Sequence, residues 1–422
     1  MVETEKKEDE KEEKEGIQGI IDQLMAMADE LGEIELENVI IETDALEFEI
    51  MSSLLGPRVQ PSIPTVAPLT KAEVVPELLV LPKQLLSATF LPPLTEWPGE
   101  VVEVQIGAKS GSGGTRKSVV TIGGEKTMPF YLFEYENPNP PSIAIDVFDI
   151  PGDFLSAPVR EKYEDVYEDP GEWAKKAVEY GANAVTIHLI STDPLINDTP
   201  VSEAARTVEE VLQAVDVPVI VGGSGDKDKD PEVLSKAAEV AEGERILLNS
   251  VSLDMDWKKV VDAAKKYGHN VIAFTQMNVN DARLLNTNLL KRETPKDQIV
   301  IDPTCAALGY GLEYAFSNYE RVRISALRGD AVLQMPMSAG TTNAWGAREA
   351  NKSEKKMPQW EPRAFRGPLW ETVTALTLAL AGCDLFLMMH PGALQAFKST
   401  VTNLLTMVTE QRKQIDWVHA NF

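Results

Sequence analysis

Asp146, His188, Asn249, Gln276, Asp302 and His390 share one placement: each falls at or near the C-terminal end of a short apolar run, where a polar turn begins. Asn278 directly follows one such run; Thr341, Thr342 and Asn343 follow another, which also contains Gln334. Carboxylates so placed can position a ligand or share a proton, while amides and hydroxyls can hydrogen-bond a large neutral or amide-decorated ligand. Asp302, in IVIDPTCAALGY, is the strongest single candidate, because the following proline stiffens the backbone that carries the carboxylate. A carboxylate that caps the next helix is the competing reading. Asp146 reads in the same way with a weaker signal. His188 and His390, with Asp146 or Asp302, could in principle hold a metal, but they fall on different runs and no spacing fixes their geometry. Hydrogen-bonding histidines are the simpler reading. Of the other two histidines, His269 opens a run and His419 sits in the C-terminal tail. No catalytic residue and no metal-ligand set is assigned.

The elements that must position these residues repeat. The apolar runs are SIAIDVFDI (142–150), AVTIHLIST (184–192), VPVIVGG (217–223), RILLNSVSL (245–253), HNVIAFTQM (269–277), QIVIDPTCA (298–306), AVLQMPMSA (331–339) and CDLFLMMHP (383–391). Stretches with apolar residues three or four apart lie between them, as in DPGEWAKKAVEYG, which opens on the Asp169–Pro170 cap and closes at Gly181. Eight strand–helix units predict an α/β fold, a closed TIM (β/α)₈ barrel over 142–422, with its chemistry at the C-terminal strand ends. On that reading Met335 and Met337 lie at the mouth, and SAGTTNAWGAREA forms a small-residue loop over it.

The remaining sequence divides into an acidic tail (1–15), a helix over Ile17–Gly32 within an irregular extension (16–98), and a β-hairpin with a barrel-covering segment (99–141). The hairpin strands VVEVQIGAK and KSVVTIG flank GSGGTR, which predicts a mobile surface loop and lacks the phosphate-loop pattern. Phe130, Tyr131 and Phe133 are expected to cover one end of the barrel. A net charge of −26 argues against nucleic acid or an anionic membrane as partner, and suits a salt-rich cytoplasm or a basic partner subunit. Cys305 and Cys383, outside any CxxC pair, read as buried thiols, so no iron–sulfur or zinc site is expected from this chain alone. No apolar region follows the charged N-terminus, so a cytoplasmic location is expected. The run 372–389 reads as a helix ending at Gly382 and a buried strand, not a membrane span.

Long segments carry a resemblance: TIGGEKTMPFYLFEYENPNPPSIAIDVFD, HNVIAFTQMNVNDARLLNTNLLK, IVIDPTCAALGYGLEYAFS and MPMSAGTTNAWGAREA. Over roughly residues 70–422 the chain resembles the delta-subunit family of the archaeal acetyl-CoA decarbonylase/synthase complex, counterparts of the small subunit of the corrinoid iron–sulfur protein. The resemblance implies a TIM barrel related to pterin-binding methyltransferases, paired with a gamma-type large subunit that carries a [4Fe–4S] cluster and a corrinoid-binding domain. It implies a corrinoid shared at the interface, cycling between Co(I) and methyl-Co(III). The methyl group would pass from a methyltetrahydropterin of the tetrahydrosarcinapterin type to the nickel–iron–sulfur centre of the acetyl-CoA synthase (beta) subunit. The Asp-x-His-x-x-Gly signature of a lower corrinoid ligand is absent around His188, which has Thr186 two positions before it. The expected corrinoid-facing residues are Asn343, Thr341, Thr342 and Gln334, with Gln276 and Asn278 secondary. The rival expectation is a methyltetrahydropterin-binding barrel using Asp146, Asn249 and Asp302; a purely structural scaffold is a third.

Overall fold

The computed structural model describes residues 94–356 and 358–406. The acidic tail, the Ile17–Gly32 helix, the extension as far as residue 93 and His419 lie outside the described residues. The chain divides into two units, Met1–Pro82 and Lys83–Phe422, and every described residue belongs to the second.

Strands β1 (Val104–Ile106) and β2 (Val120–Ile122) form an antiparallel hairpin. Eight parallel strands follow: β3 (Ser142–Phe148), β4 (Ala184–His188), β5 (Val219–Gly222), β6 (Leu247–Val251), β7 (Asn270–Phe274), β8 (Ile299–Asp302), β9 (Ser338–Gly340) and β10 (Leu385–Met388). Their order is β8-β7-β6-β5-β4-β3-β10-β9. A bridge between Ile301 and Met337 brings the two end strands together, as the repeat predicts for a (β/α)₈ barrel. The seventh run begins pairing late, at the Met337 bridge just before β9. Pro336 has no N–H to give, and the Asp330 side chain instead holds the Val332 N–H in a turn. Met335 and Met337 therefore sit in the layer between sheet and helices at the strand's start, not at the mouth.

The helices are α1 (Ala157–Arg160), α2 (Pro170–Glu179), α3 (Val201–Ala214), α4 (Asp230–Val240), α5 (Trp257–Tyr267), α6 (Val279–Lys291), α7 (Leu312–Leu327), α8 (Arg348–Asn351), α9 (Arg363–Ala381) and α10 (Pro391–Thr406). Asp169 caps α2 by accepting from the N–H groups of Gly171 and Glu172, as its Asp-Pro start predicts. The period of two along each strand makes two cores. Outward residues such as Ile143, Ile145 and Val147 meet the helix stripes, among them Trp173, Val208 and Leu378. Inward residues form a second core: Ala144, Ala184, Ile220, Leu247, Ile272 and Val300, with Leu385 and Leu387.

That inner core is completed from below. Val104, Ile106, Val120 and Ile122 of the hairpin pack into it, so β-branched residues plug the barrel, not the expected aromatics. Phe130 packs on the outer core and Tyr131 is 45% exposed. Each buried plug side chain contributes about 1.5–3 kcal/mol. The end of the hairpin loop is clamped. Arg116 is buried, donates to Glu244 at 2.8 Å and to the Leu212 carbonyl at 2.7 Å, and Thr115 donates to Glu244 at 2.7 Å.

A buried cation ties the plug segment to the last strand. Arg323 of α7 lies 2.9 Å from both Asp384 oxygens and 2.9 Å from Glu125, and donates to the Gly382 carbonyl at 2.6 Å. Asp384 also accepts the Met337 N–H at 2.7 Å. Gly382, with φ +107°, ends α9 in the left-handed region, and a side chain there would meet Arg323 at 2.9 Å. Removing Arg323 would strand two carboxylates in the interior. We expect Arg323→Ala to lower stability by about 3–5 kcal/mol, read as a large fall in the urea midpoint; a change under about 1 kcal/mol would contradict this role.

Candidate functional site

Climbing β3, β4, β6 and β8, the inward row changes from apolar to polar. Above the inner core stand Asp146, Thr186, His188, Asn249, Asp302 and Ser338, the same parity of positions two residues further on. Asp146 is buried, and its Oδ1 lies 3.2 Å from His188 Nε2. The imidazole stacks on Phe148 at 5.2 Å and presses on Gly222, where a Cβ would sit 2.6 Å from Nδ1. Only glycine admits the ring there.

Asp302 ends β8, and its neighbours settle the competing reading. Oδ1 accepts the Thr304 N–H at 2.9 Å and Oδ2 the Ser338 hydroxyl at 3.3 Å, while α7 is capped by Gly311, so Asp302 caps no helix. Burial pushes its carboxyl up to about 7. Glu371 was missed by the sequence reading because it comes from a helix, α9, not a strand end. It is fully buried, accepts the N–H groups of Met389 (2.6 Å) and His390 (3.1 Å), and burial pushes it up to about 8. His390 accepts the Gly392 N–H at Nδ1, and burial pushes it down to about 4. Its Nε2 is buried with no hydrogen-bond partner among the described residues. Among those residues no three His, Cys, Asp or Glu side chains group to hold a metal ion.

Beside this polar layer, over the ends of β5, β6 and β7, opens a chamber of about 400 Å³. Ser250, Ser252, Phe274, Thr275, Gln276 and Met255 line it, together with the Lys227–Asp254 ion pair, Asp230 and Asp281. Thr275 Oγ1 is buried there without a partner among the described residues. Asp230 is spent locally: it accepts from Ser224 and Gly225 and shapes the chamber wall.

The other expected residues scatter. Gln276 is exposed on the chamber, and Asn278 is exposed but caps α6 by accepting the Asn280 N–H. Asn249 is half-buried. Asn343 is exposed and donates to the Cys305 carbonyl at 2.8 Å, joining the loops after β8 and β9; Thr342 is half-buried. Thr341 is fully buried and donates to the Leu387 carbonyl at 2.9 Å, so it holds the barrel together and offers nothing outward. Gln334 lies at the opposite end, where Val102 N donates to its carbonyl and its side chain faces Ala326 and Lys296. The late start of β9 puts it there. Cys305 and Cys383 are free and buried.

Around this face runs an apolar collar that the strand-by-strand reading missed. Phe154, Leu195, Ile196, Leu253, Met277 and Tyr310, from five different βα loops, are 36–94% exposed. Scattered exposed apolar residues are ordinary; a ring of them about one concave face marks a surface that another surface covers. Among the described residues no helix is long and apolar enough to cross a membrane.

Fold and face together define a (β/α)₈ barrel with a polar chamber and exposed apolar side chains on the loops that follow its strands. Residues 103–357 match the family model described as the CO dehydrogenase/acetyl-CoA synthase delta subunit. The acetyl-CoA decarbonylase/synthase complex subunit delta of Archaeoglobus fulgidus is 56% identical over 82% of this chain and 77% of that protein. Subunit delta 2 of Methanosarcina acetivorans is 48% identical over 96% and 91%. The chain belongs to the delta-subunit family of the acetyl-CoA decarbonylase/synthase complex. A dihydropteroate synthase of Xanthomonas albilineans is a distant likeness at 17% identity and a TM-score of 0.43, covering 65% of this chain and 95% of that one.

Asp302 has a pH signature. Its folded value of about 7 lies above the ~3.9 of an unfolded aspartate. The folded chain thus holds an extra proton between about pH 4 and 7, and stability falls as pH rises through that window. Asp302→Asn keeps an acceptor for Thr304 and a donor for Ser338 and should flatten the slope, raising the urea midpoint at pH 8 relative to the parent. An unchanged slope between pH 5 and 8 would count against a buried, neutral Asp302.

Proposed function

We propose that this chain works as the small subunit of a corrinoid iron–sulfur protein, its barrel mouth forming one wall of a corrinoid site completed by a gamma-type large subunit. The observation that carries the reading is the apolar collar around a polar face, set on a chain of the delta-subunit family. The residues present fit a corrin at this face. The collar suits its hydrocarbon periphery, and Gln276, Thr342 and Asn343 offer amides and a hydroxyl for its peripheral amides. Asn343, braced on the Cys305 carbonyl, keeps its amide oxygen free to accept. When bound, the corrinoid supplies the methyl-carrying metal between methyltetrahydropterin and the nickel–iron–sulfur centre of the synthase. This chain's part is to cover, orient and exclude water. The [4Fe–4S] cluster belongs to the large subunit in this reading.

A second reading is a methyltetrahydropterin held by this chain itself through Asp146, Asn249 and Asp302; what supports it is the inward polar layer these three share at the strand ends, beside the chamber and not lining it. The two readings separate in solution. The shared-site reading expects a corrinoid spectrum only when both subunits are present, with retention falling about tenfold or more for Leu195→Asp combined with Met277→Asp. Corrinoid retention indifferent to both changes would overturn it. Pterin binding by the isolated chain in the tens of micromolar, lost on Asp302→Ala, would favour the second.

A further inference from the structure

The chain is acidic overall, yet the excursion between β9 and α9 reverses that sign. Residues 348–366 carry six cationic side chains against three carboxylates, within a protein of net charge −26. Elsewhere many cations are neutralised in place, as Lys117 is by Asp216, Lys176 by Asp165 and Arg292 by Asp262. Here, among the described residues, none of Arg348, Lys352, Lys355, Lys356 and Arg363 forms an ion pair.

The excursion is held in shape from beneath. Arg366, the sixth cation, is buried and donates to the backbone carbonyls of Glu349, Lys352 and Glu361, with its guanidinium 5.0 Å over the Trp360 ring. Tyr310 accepts the Arg348 N–H and donates to Glu349, each at 3.0 Å, fastening the excursion to the loop after β8. Lys355, Lys356 and Arg348 are thereby left facing solvent. Beside them stand Tyr310, in the loop before α7, Tyr314 in its first turn, and Phe365 with Leu369, four residues apart on α9, all 49–70% exposed. Unpaired cations rimming exposed aromatic and aliphatic anchors make the usual composition of a protein interface.

We infer that this sector is a docking surface for an acidic, apolar-centred face of a partner protein, the large subunit proposed to cover the barrel mouth. The inference rests on that reading and adds its charge. A large field of −26 repels any acidic protein at long range, so a local patch of opposite sign fixes where such a partner can land and in what orientation.

The test uses the full-length chain and the purified corrinoid-bearing large subunit, with affinity measured at about 50 mM and 500 mM salt. The triple reversal Lys352→Glu, Lys355→Glu and Lys356→Glu should weaken binding at least tenfold at low salt, and the deficit should shrink at high salt. The neutral triple Lys→Gln should give a smaller loss of the same kind. Reversal of Lys175 and Lys236, on the outer helices α2 and α4, should leave affinity within twofold. If the large subunit binds the parent but binds the folded triple reversal equally well, the acidic dock is wrong while the shared site stands. If the large subunit does not bind the parent, the shared site itself fails. Binding of the isolated chain to itself, lost in the triple reversal, would assign the patch to a second copy and overturn the inference.

Discussion

Everything above the barrel floor depends on the floor being shut. Four β-branched side chains, Val104, Ile106, Val120 and Ile122, fill the lower end of a barrel whose inward residues there are themselves apolar. Water entering from below would hydrate the polar layer that stands directly on this core. Kept dry, Asp302 and Glu371 sit where the neutral carboxyl is favoured near neutral pH. The plug is in turn held by buried polar anchors: Arg116 on Glu244 at one side, Arg323 on Asp384 and Glu125 at the other. Such pairs cost desolvation, and their value here is positional, since they fix a short hairpin of three-residue strands against a closed sheet.

The barrel was legible because its signals are local. Apolar runs of strand length, Asp169–Pro170 at a helix start and Gly382 at a helix end each state their own conformation, and eight repeats leave one architecture that closes. Asp146 and Asp302 were legible as inward polar groups because strand parity alone places them. What failed was whatever depends on where a strand begins pairing. The AVLQMPMSA run looks continuous, but pairing starts only at Met337, after the Asp330 turn, which sends Gln334, Met335 and Met337 to the wrong end for a mouth role. Glu371 and the collar left no sequence signal. A helix residue that reaches over a strand end, or six apolar residues from five loops, becomes a feature only after closure brings them together.

The face so assembled divides its labour. The buried layer beneath it is locked: Thr341 holds Leu387, Asp302 holds Thr304 and Ser338, and Glu371 holds the start of α10. The exposed rim offers amides, a hydroxyl and apolar bulk, a composition that covers a ligand and meets a partner. This arrangement suits a subunit whose contribution to methyl transfer is enclosure and orientation. The buried carboxylates just below the rim brace the loops above them: Asp302 accepts from Thr304 and Ser338, and Glu371 from Met389 and His390.

Hydrogen exchange of this chain, with and without the corrinoid-loaded large subunit, tests the central claim most directly. Protection should appear in the βα loops that carry Phe154, Leu195, Leu253, Met277 and Tyr310, with the hairpin around Val104 and Val120 unchanged. Protection confined to the hairpin end or the outer helix faces, with those loops still exchanging freely, would contradict a covered barrel mouth.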